Sequence, residues 1–377
     1  MIKKKQIYLD YNATSALKPE VKRAMLDVMD LPLNPSSVHQ NGREAKRLIN
    51  EARAKIKSLV NAGNGQVIFT CSGTEANNLA INGNDADSYF VTATEHLSVL
   101  KPAARLRAQI IPVNEQGIVN LSSLEKLLAS VPGKKLVSIM LANNETGVIQ
   151  PIKELANIVF KHNGYFHCDA SQAVGKVAVD MQDLNVDMLT ISAHKFGGPQ
   201  GAASLVVKAG IEIEPQILGG GQESSKRAGT ENVPAIVGFG VASELAKNDI
   251  KYFTKIKDIR DFIEQEISTL YPEALVIDRK INRLPNTTSV YMPGMKAETQ
   301  VINFDLEGIA ISAGSACSSG KVEVSHVLQG MGIKKEIAEN TIRVSLAPNT
   351  TKDEAIRFVA VWKELFFRSN QTVKKAA

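Results

Sequence analysis

Short apolar, β-branched runs alternate along this chain with stretches of helical periodicity, and that alternation leaves few folds open. Gln66–Thr70, Ser88–Thr92, Gln109–Val113, Lys135–Leu141, Tyr165–Asp169 and Asp187–Ser192 read as strands. Most are continuously apolar rather than alternating, the pattern of strands covered on both faces. Between them, Ala45, Leu48, Ile49, Ala52, Ile56, Leu59 and Val60 follow spacings of three and four, an amphipathic helical stripe. Pro151 opens another helix where its missing N–H costs nothing. Alternation of this kind builds an α/β fold, a mostly parallel sheet flanked by helices. We expect this large domain to span residues 16–250. Residues 1–15 and 251–377 are expected to form a smaller α+β domain. A charged helical segment, 248–270, would lead into it, with strands at Ala274–Ile277, Thr287–Met292 and Thr341–Leu346. Its last helix carries a capping box, Thr351-Lys352-Asp353-Glu354, and a stripe of Ala355, Val359, Trp362 and Phe366.

Composition narrows the function classes. The 377 residues are 44% hydrophobic and 22% charged, which excludes long disorder and low-complexity tracts. A formal charge of +5 with 5% aromatics lacks the basic clusters of a nucleic-acid binder, so no direct nucleic-acid partner is expected. The longest apolar stretches, such as Val233–Ala242, are about half of what a spanning helix needs, so no membrane partner is expected either. The basic start, Met1 to Gln6, has no apolar run behind it and does not read as a signal peptide. Cys71, Cys168 and Cys317 have neither a disulfide framework nor metal-ligand spacing. We therefore expect a soluble protein of the reducing cytoplasm, without a metal.

In open α/β sheets ligands sit at the carboxyl ends of strands, and four polar segments fall there. Thr70-Cys71-Ser72-Gly73-Thr74-Glu75-Ala76-Asn77 joins a strand to a helix; small residues there let backbone N–H groups approach an anion. Read alone, it is more simply an ordinary strand-to-helix turn with a Thr N-cap. Asp169 ends Tyr165-Phe166-His167-Cys168-Asp169, either as a helix cap or as a functional carboxylate. Lys195 follows another apolar strand in Ser192-Ala193-His194-Lys195-Phe196-Gly197-Gly198-Pro199. Desolvation there would favour the neutral amine that a Schiff base needs, although an isolated loop lysine has no such role. Cys317 lies in Ser312-Ala313-Gly314-Ser315-Ala316-Cys317-Ser318-Ser319-Gly320, with little apolar packing to hold it, and is expected to be an exposed thiol on a mobile loop. Cys168, in a strand, is expected to be buried. In order, a phosphate turn, a strand-end Asp and a strand-end Lys are the parts of a pyridoxal phosphate site.

With these motifs together, the chain closely resembles the cysteine desulfurases, a branch of the fold-type I, class V aminotransferase-like enzymes. The likeness runs from Tyr8-Leu9-Asp10-Tyr11-Asn12-Ala13-Thr14 to about Leu346. It takes in Asn34-Pro35-Ser36-Ser37-Val38-His39, Ser72 to Glu75, Thr94-Glu95-His96, Asn143-Asn144-Glu145-Thr146-Gly147, Asp169 to Gln172 and Ser192 to Lys195. It continues through Gly219 to Glu223, Ala228 to Asn232, Gly314 to Ser318 and Ile342 to Ser345. The Gly-Ser-Ala-Cys loop resembles the housekeeping and nitrogen-fixation type.

The resemblance implies a homodimeric pyridoxal 5′-phosphate enzyme that converts L-cysteine to L-alanine. Sulfur would pass through a persulfide on Cys317 to an acceptor, such as an iron–sulfur scaffold protein. Lys195 would hold the cofactor covalently, Asp169 would pair with the ring nitrogen, and His96 would stack on the ring. Asn144 and Gln172 would meet the ring hydroxyl. Gly73, Thr74, Ser192 and His194 would hold the phosphate, with Thr230 reaching in from the second subunit. Arg343 would grip the substrate carboxylate, with Asn34 helping.

The chain departs from the family pattern in three places. Cys71-Ser72 stands where Ser-Gly is commoner, Glu223-Ser224-Ser225-Lys226-Arg227 replaces a Glu-Arg-Gly-x-Arg pattern, and the longer C-terminal extension that helps some relatives dock a scaffold is expected to be lacking. A selenocysteine lyase, a class V aminotransferase without need of the loop thiol, and a silent scaffold homologue are the competing readings.

Overall fold

The computed structural model describes residues 6–314 and 324–376, with side chains placed to residue 369. Its strands, in chain order, are β1 (Ile7–Tyr8), β2 (Gln66–Thr70), β3 (Ser88–Thr92), β4 (Gln109–Ile111), β5 (Lys135–Ser138), β6 (Gly164–Asp169), β7 (Met188–Ser192), β8 (Ala203–Val207), β9 (Thr287–Tyr291), β10 (Ile309–Ala310), β11 (Ser312–Ala313) and β12 (Thr341–Ser345). Seven of them form one sheet in the order β2-β8-β7-β6-β5-β3-β4. Neighbours pair in parallel except at β8, which is antiparallel to both β2 and β7. All the other strands of this sheet therefore aim their carboxyl ends at one edge.

All but one of the expected strands are present, several with altered ends. β4 stops at Ile111 because Pro112 has no N–H to extend the ladder. Ala274–Ile277 is not a strand: a short 3₁₀ turn, Pro272–Ala274, is followed by a single bridge from Leu275 to Val290. β8 had not been anticipated. The segment read as a separate charged helix is the second half of one helix, Val233–Leu270. Its first half is apolar on several faces and its second half charged, so the sequence reads as two elements. Gly240 lets this helix lie against Gln40–Leu59, since a Cβ there would come 2.7 Å from Ala52 Cα.

Two cores result. The larger gathers Ile49, Ala52 and Ile56 of the expected stripe with Phe69, Phe166, Leu189 and Phe239 around the seven-stranded sheet. The second packs Leu9, Phe253, Val290, Ile342, Phe358 and Trp362 around the antiparallel sheet β11-β12-β9. The terminal helix starts with the expected reciprocal box: Thr351 N–H donates to Glu354 Oε2 at 2.8 Å, and Glu354 N–H to Thr351 Oγ1 at 3.3 Å. Its buried face is the expected stripe of Ala355, Val359, Trp362 and Phe366. No described helix is long and apolar enough to cross a membrane.

Candidate active site

The common strand edge opens into a cavity of about 580 Å³. Asp169 closes β6, and Lys195 follows β7 on the 3₁₀ turn Ala193–Lys195; both line the cavity. Lys195 Nζ donates to the carbonyls of Asn12 and Ala13 at 2.7 and 2.9 Å. Burial lowers its pKa to about 8, and the Arg343 guanidinium pushes the same way. The neutral fraction at pH 7 thereby rises from roughly one in three thousand to about one in ten. This is the desolvated lysine anticipated from the sequence.

Asp169 is held on both oxygens. Oδ1 accepts from the Ser171 N–H at 2.9 Å and Oδ2 from Asn77 Nδ2 at 2.8 Å. The other Asn77 N–H goes to Ser98 Oγ, also at 2.8 Å. Ser98 Oγ lies 2.7 Å from His96 Nδ1, which also accepts the Ser98 backbone N–H at 3.2 Å. His96 Nδ1 is thus an acceptor, and in the neutral ring the proton sits on Nε2. Burial lowers the pKa of His96, Lys195 and His326 add to that, and Asp169 opposes it.

The turn after β2 is a helix start. Ser72 caps Gly73–Asn82 by accepting the Glu75 N–H at 3.2 Å. Gly73 and Thr74 open that helix and face Ser171, Ser192 and His194 across the cavity wall. Burial and the neighbouring Lys195 lower the His194 pKa to about 4. On the opposite wall Arg343, in the middle strand β12, donates to Asp10 Oδ1 at 2.6 Å and to the Asn144 carbonyl at 3.1 Å. Arg343 Nε and Asn144 Oδ1 are buried without a partner among the described residues.

Two expected site residues are not among the described residues that line the cavity. Asn34 is exposed, with its Oδ1 accepting the Ser36 N–H at 3.0 Å. Thr230 is exposed as well. Cys317 lies outside the described residues, but Gly314 and Val324, which bracket that segment, both line the cavity. The structure adds groups that sequence reasoning had not assigned: Asn12, Asn77, Ser98, Glu145 and His326. Only Asn77 had a local signal, its place at the end of the strand-to-helix segment Thr70–Asn77. Glu145 is buried, which raises its pKa to about 7, and it accepts from Ser325 Oγ at 2.5 Å. His326 Nε2 lies 2.9 Å from the Glu95 carbonyl.

Residues 7–358 match the family model Aminotransferase class-V. A protein of Dictyoglomus turgidum named cysteine desulfurase IscS is 41% identical over 364 residues, 93% of this chain and 92% of the relative. Cysteine desulfurase IscS 1 of Archaeoglobus fulgidus is 39% identical over 367 residues, 94% and 95% of the two chains. The chain belongs to the class V aminotransferase family, in its cysteine desulfurase branch. Among solved structures, the NifS-like protein from Rickettsia africae superposes with a TM-score of 0.89 at 40% identity, covering 96% of this chain and 99% of that one. A structure described as SspA in complex with cysteine gives 0.75 at 30% identity, covering 92% and 100%.

Set in this desulfurase fold, the departures from the family pattern acquire a setting. Glu223, Ser224 and Ser225 have φ of 49°, 56° and 63°, three successive left-handed residues. Glu223 holds them: Arg53 grips its carboxylate with both Nη atoms at 2.9 and 3.0 Å, and Phe69 N–H donates to Oε2 at 3.0 Å. Cys71 is exposed, and partial burial and Glu75 raise its pKa, so it is not an activated thiolate. Cys168 is buried, as expected.

Proposed function

We propose that this protein is a cytoplasmic, homodimeric, pyridoxal phosphate-dependent cysteine desulfurase. It takes sulfur from L-cysteine, leaves L-alanine, and passes the sulfur from Cys317 to an acceptor such as an iron–sulfur scaffold protein. The observation that carries this reading is the meeting of a desolvated Lys195 with Asp169, His96 and Arg343 around one cavity.

The residues present fit the cofactor. A Cβ on Gly73 would project into the space between Ser171 Oγ and Ser192 Cβ, 3.5 Å from each, so glycine keeps a small cradle open at a helix N-terminus. Gly73, Thr74, Ser192 and His194 would hold the phosphate there, joined by the partner subunit's copy of Thr230. Asp169 would pair with the ring nitrogen, His96 would stack on the ring, and Asn144, with its partnerless buried oxygen, and Gln172 would meet the ring hydroxyl. The chemistry the group supplies when bound is an electron sink for the charge left as a Cα–H bond breaks.

This chain's side chains would do the rest. The Lys195 amine takes the Cα proton and carries it, a task its lowered pKa suits. Arg343, already oriented by Asp10 and Asn144, holds the substrate carboxylate, with Asn34 assisting once the substrate is present. Cys317 thiolate attacks the substrate sulfur; an S–S bond forms, the C–S bond breaks, and its electron pair stays on carbon, which is protonated to give alanine. A turnover assay with L-cysteine, with and without a thiol reductant, tests the reading. Alanine should form in both, and free sulfide should accumulate only with reductant. Amino-group transfer to an oxo acid in place of alanine release would favour the aminotransferase reading.

A further inference from the structure

Behind the cavity lies a second amine that the proposed chemistry does not use. Lys176 is 1% exposed, and burial pushes its pKa far below the ordinary lysine value. Its Nζ donates to two amide oxygens, Gln172 Oε1 at 2.6 Å and Asn12 Oδ1 at 2.8 Å. Even a neutral amine has two hydrogens, enough for both. A methionine of similar length would fill this space without the cost of desolvating an amine, so packing alone does not call for lysine.

The consequence lies in the amides. An amide has one oxygen end and one nitrogen end, and an amine pointing hydrogens at the oxygen fixes which is which. With Oε1 turned to Lys176, Gln172 Nε2 donates to the Asn12 carbonyl at 2.9 Å and has its second N–H on the side of the cavity that Gln172 lines. The same Asn12 carbonyl accepts Lys195 Nζ. Asn12 is fixed in turn: Oδ1 accepts from both Lys176 Nζ and Asn286 Nδ2, the latter at 3.2 Å, and Nδ2 donates to Thr287 Oγ1 at 2.9 Å. Turning both amides over would leave the amine's hydrogens without an acceptor, and turning Gln172 alone would also set its oxygen against the Asn12 carbonyl.

We propose that Lys176 is a positioning residue of this site: its buried amine holds the oxygen ends of Gln172 and Asn12, so that Gln172 presents a hydrogen-bond donor to the cofactor's ring oxygen. The inference rests on the cofactor reading above. Removing the amine leaves Gln172 Oε1 buried and unpaired, while Asn12 Oδ1 keeps Asn286 Nδ2 at 3.2 Å; Gln172 can then turn its oxygen to the ligand, and the loss of one such oriented bond is worth roughly tenfold in affinity.

A double-mutant cycle tests it by equilibrium dialysis of pyridoxal 5′-phosphate against the full-length protein. Lys176→Met and Gln172→Leu should each weaken binding about tenfold, and the double variant no more than Gln172→Leu alone. If the two losses multiply, Lys176 acts independently of Gln172 and the proposal is wrong. Should Lys176→Met not fold, Lys176→Gln enters the same cycle under the same criterion. Wild-type protein that binds no pyridoxal 5′-phosphate would contradict the proposed function rather than this inference. A crystal structure of Lys176→Met then decides: Gln172 turned away from the Asn12 carbonyl supports the positioning role, and unchanged partners overturn it.

Discussion

At the scale of single residues, burial sets the chemistry of this site more than pairwise charge does. Lys195, His96, His194, Glu95 and Glu145 are all shifted chiefly by removal from water, each toward its neutral form. Lys195→Ala should lower alanine release from L-cysteine by at least ~10³-fold and abolish borohydride-fixable cofactor; turnover near the wild-type rate would remove Lys195 from its role. Glu95 makes a separate prediction. Its carboxyl is fully buried, accepts Thr92 Oγ1 at 2.6 Å and the Met140 N–H at 2.8 Å, and has its pKa raised to about 8. A carboxyl raised in the folded state stabilises fully below its unfolded pKa, near 4.5, and that stability is lost as pH climbs through 8. Glu95→Gln keeps the accepting oxygen and cannot ionise. Urea unfolding should show its stability rising relative to wild type between pH 6 and 9, whereas a difference independent of pH would mean that Glu95 is not held neutral.

At the scale of elements, strand ends were the most legible part of the site. Apolar runs closing on Asp169 and just before Lys195 marked both residues, because a buried parallel strand has a continuous pattern and a polar residue at its end stands out. Asn12, Ser98, Lys176 and His326 could not be read that way. Each acts through a partner on another element, as in Asn12 with Lys195, 183 positions apart, and such contacts have no local spacing. The Val233–Leu270 helix was misread for a related reason: its character changes where it passes from one core to the other. The Glu223–Ser225 segment gives a prediction at this scale. Ser225 occupies a left-handed position at φ 63°, where glycine is unstrained and an L side chain is not. Ser225→Gly should stabilise the protein by about 0.5–1 kcal/mol, net of the added chain entropy, as a higher urea midpoint. A lower midpoint would mean that the serine side chain contributes more than its backbone costs.

At the scale of the whole molecule, we propose the division into a large domain, 16–250, and a small domain of 1–15 and 251–377. Leu9 and Tyr11 packing with Phe253, Ile342 and Trp362 supports it. Lys195 and Asp169 then belong to one unit and Arg343 to the other, so the cavity lies where the two meet. The homodimer is tested by mixing subunits. If Thr230 completes the partner's site, Thr230→Ala and Lys195→Ala subunits should form heterodimers with one intact and one doubly impaired site, and activity should recover. Proven subunit exchange without recovery would place Thr230 elsewhere. The desulfurase account itself turns on Cys317, whose segment is bracketed by the cavity-lining Gly314 and Val324. Peptide mass spectrometry after incubation with L-cysteine and no reductant is its most direct test, run beside alanine release by Cys317→Ser. The account predicts one added sulfur on the peptide containing Cys317, and a Cys317→Ser protein that binds L-cysteine yet releases almost no alanine. An unmodified Cys317 peptide, with Cys317→Ser releasing alanine and sulfide at the wild-type rate, would contradict it.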